Sequence, residues 1–93
     1  MKHLVLFFCG VIGCICAQNP IIIAHRGASA FAPENTLSSF SKAIEMGAVI
    51  IETDVHQTKD SVVVLMHDLS LDRTTTSKGL IKDKTLSEFK KAN

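Results

Sequence analysis

The sequence has no tryptophan and no tyrosine, and its only cysteines are Cys9, Cys14 and Cys16. No disulfide can therefore form from Gln18 onward, so folding of that part must rest on burial of apolar groups. Beyond residue 17 the phenylalanines are the widely spaced Phe31, Phe40 and Phe89, and no basic stripe accompanies them. Since aromatic ladders and basic surfaces mark nucleic-acid-binding proteins, we expect no nucleic acid partner.

Beyond the N-terminal segment, neither positive nor negative charge is in excess. The chain has 10 basic and 9 acidic residues, and Lys2 is the only basic residue among the first 17, which leaves nine of each sign over residues 18–93. No repeat, low-complexity tract or linker interrupts this part. Residues 18–93 are therefore expected to belong to one domain.

The first 17 residues have the three parts of a secretory signal peptide. Lys2 gives a short basic start, residues 4–13 are an apolar core, and Ala17 is a small residue before a polar stretch. The core is shorter than the ~20 residues that a membrane span needs, so no stable transmembrane segment is expected. We predict export to the periplasm or the extracellular space.

Two routes of processing remain open for this segment. Cleavage after Ala17 is the favoured one, because basic start, apolar core and small residue all fit it. Residues 11–14 (VIGC) also resemble a lipobox, in which Cys14 would carry a lipid anchor. A four-residue pattern is weak evidence, so lipidation is kept as the rival interpretation.

The pattern after the signal segment predicts alternating strands and helices. Residues 21–24 are wholly apolar, which is typical of a central strand covered on both faces, and a second strand is predicted over 49–55. Between them a helix is predicted over 36–46, with Asn35 as its N-cap and Gly47 closing it. A strand–helix–strand order predicts two parallel neighbours.

The predicted helix has an apolar stripe, and a further set of elements follows the second strand. The stripe comprises Leu37, Phe40 and Ile44. Residues 62–66 are expected to form an antiparallel excursion, and 69–79 a polar loop. A last helix begins near residue 86, with Thr85 as N-cap and Glu88 as its capping-box partner.

Four chemically active side chains follow the two predicted parallel strands. His25 and Arg26 come at the carboxyl end of the first, and Glu52 and Asp54 at that of the second, the edge where α/β proteins bind ligands. In a strand, residues 52 and 54 would share a face with Cα atoms roughly 6.5–7 Å apart. Two carboxylates in one space predict a divalent metal; a solvated strand face is the weaker alternative.

A second histidine ends the excursion strand. His67 could fold back over the same edge, so His25 and His67 could flank a substrate held by metal, one taking a proton and the other giving it back. Either histidine alone could be an ordinary, partly buried residue. Beside a carboxylate pair and an arginine, the catalytic interpretation is favoured, whereas His56 is interpreted as a surface residue.

Six short motifs then occur in a fixed order. They are 23–27 (IAHRG), 33–36 (PENT), 47–48 (GA), 51–55 (IETDV), 58–60 (TKD), and 67–68 (HD) with 71–75 (LDRTT). Together they resemble the beginning of the glycerophosphodiester phosphodiesterase family. The resemblance covers nearly all of residues 21–93 and implies an α/β fold, the N-terminal fragment of a (β/α)8 TIM barrel.

The resemblance implies a role for each matching residue. His25 and His67 would be the acid/base pair, Arg26 would contact the phosphate, and Glu52 and Asp54 would bind Ca²⁺ or Mg²⁺. The implied substrate is a small-molecule glycerophosphodiester, hydrolysed to glycerol phosphate and an alcohol. Ser61 stands where the family usually has glycine in a hairpin turn, a departure that serine can tolerate.

Two alternatives come from other classes of function. The family's later metal-binding glutamate and later strands have no counterpart in residues 18–93, so a stable, active enzyme is not expected from this segment alone. The chain could thus be a non-catalytic product. It could also be a related barrel phospholipase of the sphingomyelinase D type, although the motifs at 25–27 and 33–36 favour the glycerophosphodiesterase.

Overall fold

We analysed a computed structural model, which describes residues 18–92. The signal peptide predicted over 1–17, and with it Cys14, lies outside the described residues. Seven elements follow in chain order, and the last is a short helix. They are β1 (Ile23–His25), α1 (Leu37–Glu45), β2 (Ile50–Glu52), β3 (Val55–Gln57), β4 (Val63–Leu65), a 3₁₀ helix (Ile81–Asp83) and α2 (Leu86–Lys90).

Strands β1 and β2 form a parallel pair, as the strand–helix–strand order predicted. His25 lies opposite Glu52 at the carboxyl end of the pair, and the Arg26 amide extends the ladder by donating to the Glu52 carbonyl at 2.8 Å. The prediction that the first strand is covered on both faces is wrong for the described residues. Ile21 to Ile23 are more than half exposed, because β2 is the only strand that pairs with β1 here.

Helix α1 has the predicted extent, but its N-cap and its buried face differ from the prediction. Thr36 is the N-cap, in a capping box with Ser39, and Asn35 lies one residue before it. Ser39 and Ala43 are the buried helical residues, whereas two members of the predicted stripe, Leu37 and Ile44, are exposed. A small residue is needed at Ser39 because the loop between β1 and α1 packs directly against the helix there.

Gly27 shows how closely that loop approaches α1. A Cβ atom at this position would lie 2.8 Å from the carbonyl carbon of Ser39, and Gly27 has a φ of +82°. Both facts require glycine, since any side chain would collide with helix backbone and strain its own. A hydrogen bond also joins the loop to the helix, since the Ser39 hydroxyl donates to the Arg26 carbonyl at 3.1 Å.

The second predicted strand is shorter than expected. It was predicted over 49–55, but β2 ends at Glu52, and β3 begins at Val55 after two residues without regular structure. Glu52 and Asp54 are therefore not two alternate residues of one continuous strand. The strand is interrupted because β3 leaves the parallel pair and forms an antiparallel hairpin with β4 instead.

The hairpin confirms the predicted antiparallel excursion. His56 lies opposite Val64, and the turn contains Ser61 with a φ of +65°, the left-handed conformation for which glycine is usual. Thr58 is buried beneath the turn, where its hydroxyl bonds Asp60 and the Val62 backbone. These bonds hold serine in a conformation that it seldom adopts.

The main apolar cluster joins the hairpin to the elements that follow it. It consists of Val64, Met66, Leu71 and Ile81, with Leu86, Phe89 and Ala92 packed against it. The 3₁₀ helix that supplies Ile81 was not predicted. The start of α2 was, and the structure confirms both Thr85 as N-cap and Glu88 as its capping-box partner. Over residues 18–92, the helices are all too short or too polar to cross a bilayer.

Candidate active site

His25 and Glu52 face each other where the two parallel strands end. The register pairs their Cα positions, and His25 Nε2 lies 3.8 Å from Glu52 Oε2. The imidazole is largely exposed, so it is accessible to a ligand from solvent. Glu52 Oε2 is itself shielded from solvent and has no hydrogen-bond partner among the described residues, although much of the Glu52 side chain is exposed. A carboxylate oxygen in this condition is poised to accept a cation or a donor.

Arg26 lies between two carboxylates. Its Nε is 3.3 Å from Asp54 Oδ2, and its Nη1 is 3.4 Å from Glu34 Oε1. The contact with Asp54 is an ion pair without hydrogen-bond alignment, since Nε has no hydrogen-bond partner. Arg26 also has a φ of +60°, a conformation that costs on the order of 1 kcal/mol or more and is often found at functional sites.

Asn35 fastens this loop to the end of β2. Its Nδ2 donates to Asp54 Oδ2 at 3.1 Å, and its Oδ1 accepts from the Thr53 hydroxyl at 2.7 Å. Its backbone amide donates to the Arg26 carbonyl at 3.0 Å. Asn35 is buried and has a φ of +56°. The sequence pattern predicted it as a helix cap, whereas the structure makes it the residue that orients Asp54.

A chain of ion pairs leads from this rim to His67. Arg73 binds Glu34 through Nη2 at 2.6 Å and Asp68 through Nε at 2.9 Å. Asp68 Oδ1 in turn lies 2.9 Å from His67 Nδ1. Asp68 and Arg73 therefore brace the loop after β4 by pairing with each other. The PENT motif was the only sequence signal for Glu34, and nothing local indicated that Arg73 would reach it.

These contacts shift the pKa values of the groups that make them. Hydrogen bonds from Arg73, then from His67, hold the pKa of Asp68 far below its ordinary value. The pKa of Glu34 is also lowered, chiefly by its hydrogen bond with Arg73 and against the cost of desolvation. The same two carboxylates raise the pKa of Arg73. Glu34, Asp68 and Arg73 are therefore all ionised near neutral pH.

The structure thus brings four of the five predicted site residues to one rim, and it connects the fifth indirectly. His25, Arg26, Glu52 and Asp54 lie at the ends of β1 and β2. His67 follows β4, whose path is tied to that rim because the Met66 amide donates to the Asp54 carbonyl at 3.1 Å. Within residues 18–92, no ion pair or hydrogen bond joins His67 directly to the other four.

The candidate metal ligands are Glu52 and Asp54. Carboxylate oxygens suit a hard cation such as Ca²⁺ or Mg²⁺, and the unpartnered Oε2 of Glu52 fits a ligand in waiting. Over the part of the chain that the structure describes, however, no group of three or more His, Cys, Asp or Glu side chains could hold an ion. Glu52 and Asp54 therefore fit a metal site as two of its ligands, not as a complete set.

Comparison with known proteins identifies relatives of this chain. Residues 25–93 match the sequence model of the glycerophosphoryl diester phosphodiesterase family. The chain is 54% identical over 70 residues to a putative glycerophosphodiester phosphodiesterase of Bacillus subtilis, covering 75% of this chain and 29% of that protein. It is 52% identical over 71 residues to a glycerophosphodiester phosphodiesterase of Caldanaerobacter subterraneus, again covering 29% of the relative.

Solved structures give the same result for the fold. A glycerophosphodiester phosphodiesterase from Agrobacterium tumefaciens matches with a TM-score of 0.76 at 41% identity, over 78% of this chain and 32% of that one. An Oleispira antarctica phosphodiesterase, solved with the product sn-glycerol-3-phosphate, matches with a TM-score of 0.75 at 45% identity, over 78% and 30%.

The fold predicted from sequence is confirmed by these matches. The described elements are α/β with a parallel pair, and they correspond to about 30% of each related barrel enzyme. The chain thus spans less than a third of the length of the curated relatives quoted above. With most of its residues matched by the family model and about half of the aligned positions identical to family enzymes, the chain belongs to the glycerophosphoryl diester phosphodiesterase family.

Proposed function

We propose that the protein hydrolyses glycerophosphodiesters to glycerol phosphate and an alcohol. The observation that carries this proposal is the register of the parallel pair, which sets His25 opposite Glu52 and brings Arg26 within 3.3 Å of Asp54. A base, a fixed cation and two carboxylates at one sheet edge are the groups that phosphodiester hydrolysis requires. Membership of the family and the names of the relatives support the same substrate class.

We further propose that Glu52 and Asp54 hold a divalent cation, either Ca²⁺ or Mg²⁺. Both ligands are carboxylates, and Glu52 Oε2 has no partner among the described residues that a cation would have to displace. Asn35 keeps the Asp54 carboxylate in position by donating to it. When bound, such an ion would offset the negative charge of the phosphate and help to orient the nucleophile.

The roles of the protein's own groups follow from their chemistry. Arg26 supplies positive charge for the phosphate oxygens, and it is held in place by Glu34 and Asp54 on either side. His25 and His67 form the acid/base pair. One accepts the proton of the attacking oxygen, and the other donates a proton to the departing alkoxide. Proton exchange with water then restores both imidazoles for the next cycle.

The test is an assay of the intact protein, expressed from its complete reading frame, with a divalent cation present. We expect release of glycerol phosphate from glycerophosphocholine, and a loss of roughly 10²- to 10⁴-fold in turnover for His25→Ala and for His67→Ala. Glu45→Gln is the matched control, because Glu45 lies on α1 and pairs only with Lys42 among the described residues. It should retain full activity.

Three outcomes of this assay would contradict the proposal. Hydrolysis of sphingomyelin in preference to glycerophosphocholine would assign the protein to the sphingomyelinase D type of reaction. No hydrolysis of either substrate by a folded, metal-loaded protein would make it a non-catalytic member of the family. Retention of full turnover in both histidine variants would remove the two imidazoles from the mechanism.

A further inference from the structure

The contact between His67 and Asp68 determines which ring nitrogen carries a proton. His67 Nδ1 lies 2.9 Å from Asp68 Oδ1. Hydrogen bonds from Arg73, and then from His67, keep the pKa of Asp68 far below its ordinary value, so this carboxylate is ionised at neutral pH and can only accept. The proton in the contact therefore resides on Nδ1. In the neutral imidazole, Nε2 is left with its lone pair free.

The Asp68 carboxylate is also bound by the guanidinium of Arg73, which donates two parallel hydrogen bonds to it. Arg73 donates Nε to Asp68 Oδ2 and Nη2 to Asp68 Oδ1, both at 2.9 Å. The same guanidinium donates Nη2 to Glu34 Oε1 at 2.6 Å and Nη1 to Glu34 Oε2 at 3.3 Å. A guanidinium that serves two carboxylates in this way fixes their relative orientation, which a lysine could not do.

The backbone of His67 is restrained as well. His56, on β3, places Nε2 at 2.9 Å from the His67 carbonyl oxygen, and since a carbonyl only accepts, Nε2 of His56 is the donor. The charged and titratable groups around His67 are thus Asp68 and Arg73 on its own loop, His56 from the hairpin, and Glu34 from the loop before α1. Ring and main chain are both constrained.

We propose that Asp68, clamped by Arg73, is a positioning residue that fixes His67 in the Nδ1–H tautomer and so reserves Nε2 for proton transfer. The proposal rests on the role of His67 in the proposed function. It also gives Glu34 a purpose, because this carboxylate contacts both Arg73 and Arg26 and thereby connects the loop of the second histidine to the phosphate-binding arginine. Carboxylates that orient a catalytic imidazole in this way occur in enzymes of unrelated folds.

The experiment is ¹⁵N NMR of the histidine rings in the intact protein at pH about 8, above the ordinary histidine pKa of about 6.5. In the unsubstituted protein we expect the His67 signals of an Nδ1–H, Nε2-unprotonated ring. Asp68→Ala should convert them to those of exchanging tautomers. Asp68→Asn, which keeps an acceptor oxygen but no charge, provides a second variant that is less disruptive to folding. It should weaken the preference for Nδ1–H.

Asp72→Asn is the matched control. Asp72 lies on the same loop and accepts from the Gly79 amide at 2.9 Å, a bond that asparagine can keep. It should leave the His67 signals and the activity unchanged. In Asp68→Ala we expect kcat to fall by up to roughly 10⁴-fold with KM little changed, because the loss concerns proton transfer and not binding.

The outcomes separate this inference from the proposed function. An Nε2–H tautomer in the unsubstituted protein, or His67 signals that are the same with and without Asp68, would overturn the inference whatever the activity. A loss of activity in Asp72→Asn equal to that in Asp68→Ala would reduce Asp68 to a structural role. By contrast, a protein with the expected tautomer that hydrolyses no glycerophosphodiester would overturn the proposed function.

Discussion

Two residues beside the candidate site have backbone conformations that are usually left to glycine. Arg26 and Asn35 have φ values of +60° and +56°, and they are linked by the bond from the Asn35 amide to the Arg26 carbonyl. Each such conformation costs on the order of 1–3 kcal/mol and persists only where the surroundings enforce it. Here the benefit is local, since the turn directs Arg26 and Asn35 toward the same carboxylate, Asp54.

Substitution of Asn35 should destabilise the protein through both its side chain and its backbone. Asn35→Ala removes the bonds to Thr53 and Asp54, and it places at positive φ an alanine, which tolerates that conformation less well than asparagine, so we expect a loss of about 1–3 kcal/mol in the free energy of unfolding. Chemical denaturation measures it. Asn35→Gly is the matched variant, because it relieves the backbone and isolates the hydrogen bonds. Equal stability of Asn35→Ala and the unsubstituted protein would show that these bonds contribute nothing.

The two carboxylates should differ from the histidines in their effect on metal binding. Glu52→Gln and Asp54→Asn are expected to weaken Ca²⁺ affinity by more than the roughly 10- to 100-fold that removal of an outer-shell partner causes. His25→Ala should keep its affinity, since His25 is assigned to proton transfer. Isothermal titration calorimetry on the intact protein measures the Ca²⁺ affinity of each variant. Glu45→Gln is the control and should bind Ca²⁺ as the unsubstituted protein does. Unchanged Ca²⁺ affinity in both carboxylate variants would refute the metal site.

At the scale of elements, two loops are joined by one ionic chain. The loop between β1 and α1 contributes Arg26 and Glu34, and the loop after β4 contributes Asp68 and Arg73. Regular structure in the described chain is short, so these side-chain contacts replace the ladder bonds that longer strands would supply. The two small sheets, β1–β2 and β3–β4, are therefore held in position by loop contacts as well as by hydrogen bonds between their strands.

This ionic chain should make stability depend on acid pH. The folded-state pKa of Glu34 is lowered from 4.5 by Arg73, so its ionised form stabilises the fold above pH 4.5, and this contribution is lost as the pH falls through the folded-state value. Asp68 acts with the same sign. We therefore expect the free energy of unfolding to decrease between pH about 6 and about 3, and the decrease to be smaller in Arg73→Gln.

Lys42→Gln is the control for that measurement. Lys42 forms an exposed pair with Glu45 at 3.1 Å, three residues along the same helix, and such pairs contribute little. Its acid-induced loss of stability should equal that of the unsubstituted protein, as measured by denaturation at a series of pH values. An equally steep decrease in Arg73→Gln would mean that the ionic chain does not link folding to protonation.

At the scale of the whole molecule, the apolar surface is distributed in an unusual way. Only five apolar side chains are buried over residues 18–92, among them Leu71 and Ile81, while Ile21, Val49 and Val63 are more than half exposed. The family relatives quoted above are more than three times as long as the segment they share with this chain. Exposed strand residues of this kind are what a barrel buries when neighbouring strands and helices cover them.

The N-terminal segment adds a prediction at the same scale. We expect a secreting bacterial host to cleave the protein after Ala17, so that N-terminal sequencing of the exported form begins at Gln18. Cys14→Ala should be exported and cleaved as the unsubstituted protein is, because cysteine has no part in ordinary signal cleavage. Incorporation of labelled palmitate that is lost in Cys14→Ala would instead establish lipidation, the rival interpretation.

Local patterns were sufficient to predict most elements of this protein. Gly47 after α1 and the capping box of α2 depend on residues within a few positions of one another, and the parallel order and the hairpin follow from the order and spacing of the apolar runs. The predictions failed where tertiary contacts decided the detail. The strand predicted over 49–55 is interrupted because β3 pairs with β4, and Asn35 bonds Asp54, 19 residues away, while Thr36 caps the helix.

The sequence by itself determined the family, and it indicated the residues that we propose for the chemistry, because His25, Arg26, Glu52, Asp54 and His67 lie in short motifs that can be read locally. Only the tertiary structure decided which of these groups touch. Arg73 reaches Glu34 across 39 residues, and no periodicity or motif specifies a contact that depends on how the chain closes such a loop. The orientation of His67 by Asp68 likewise emerged from a guanidinium whose partner lies in another part of the sequence.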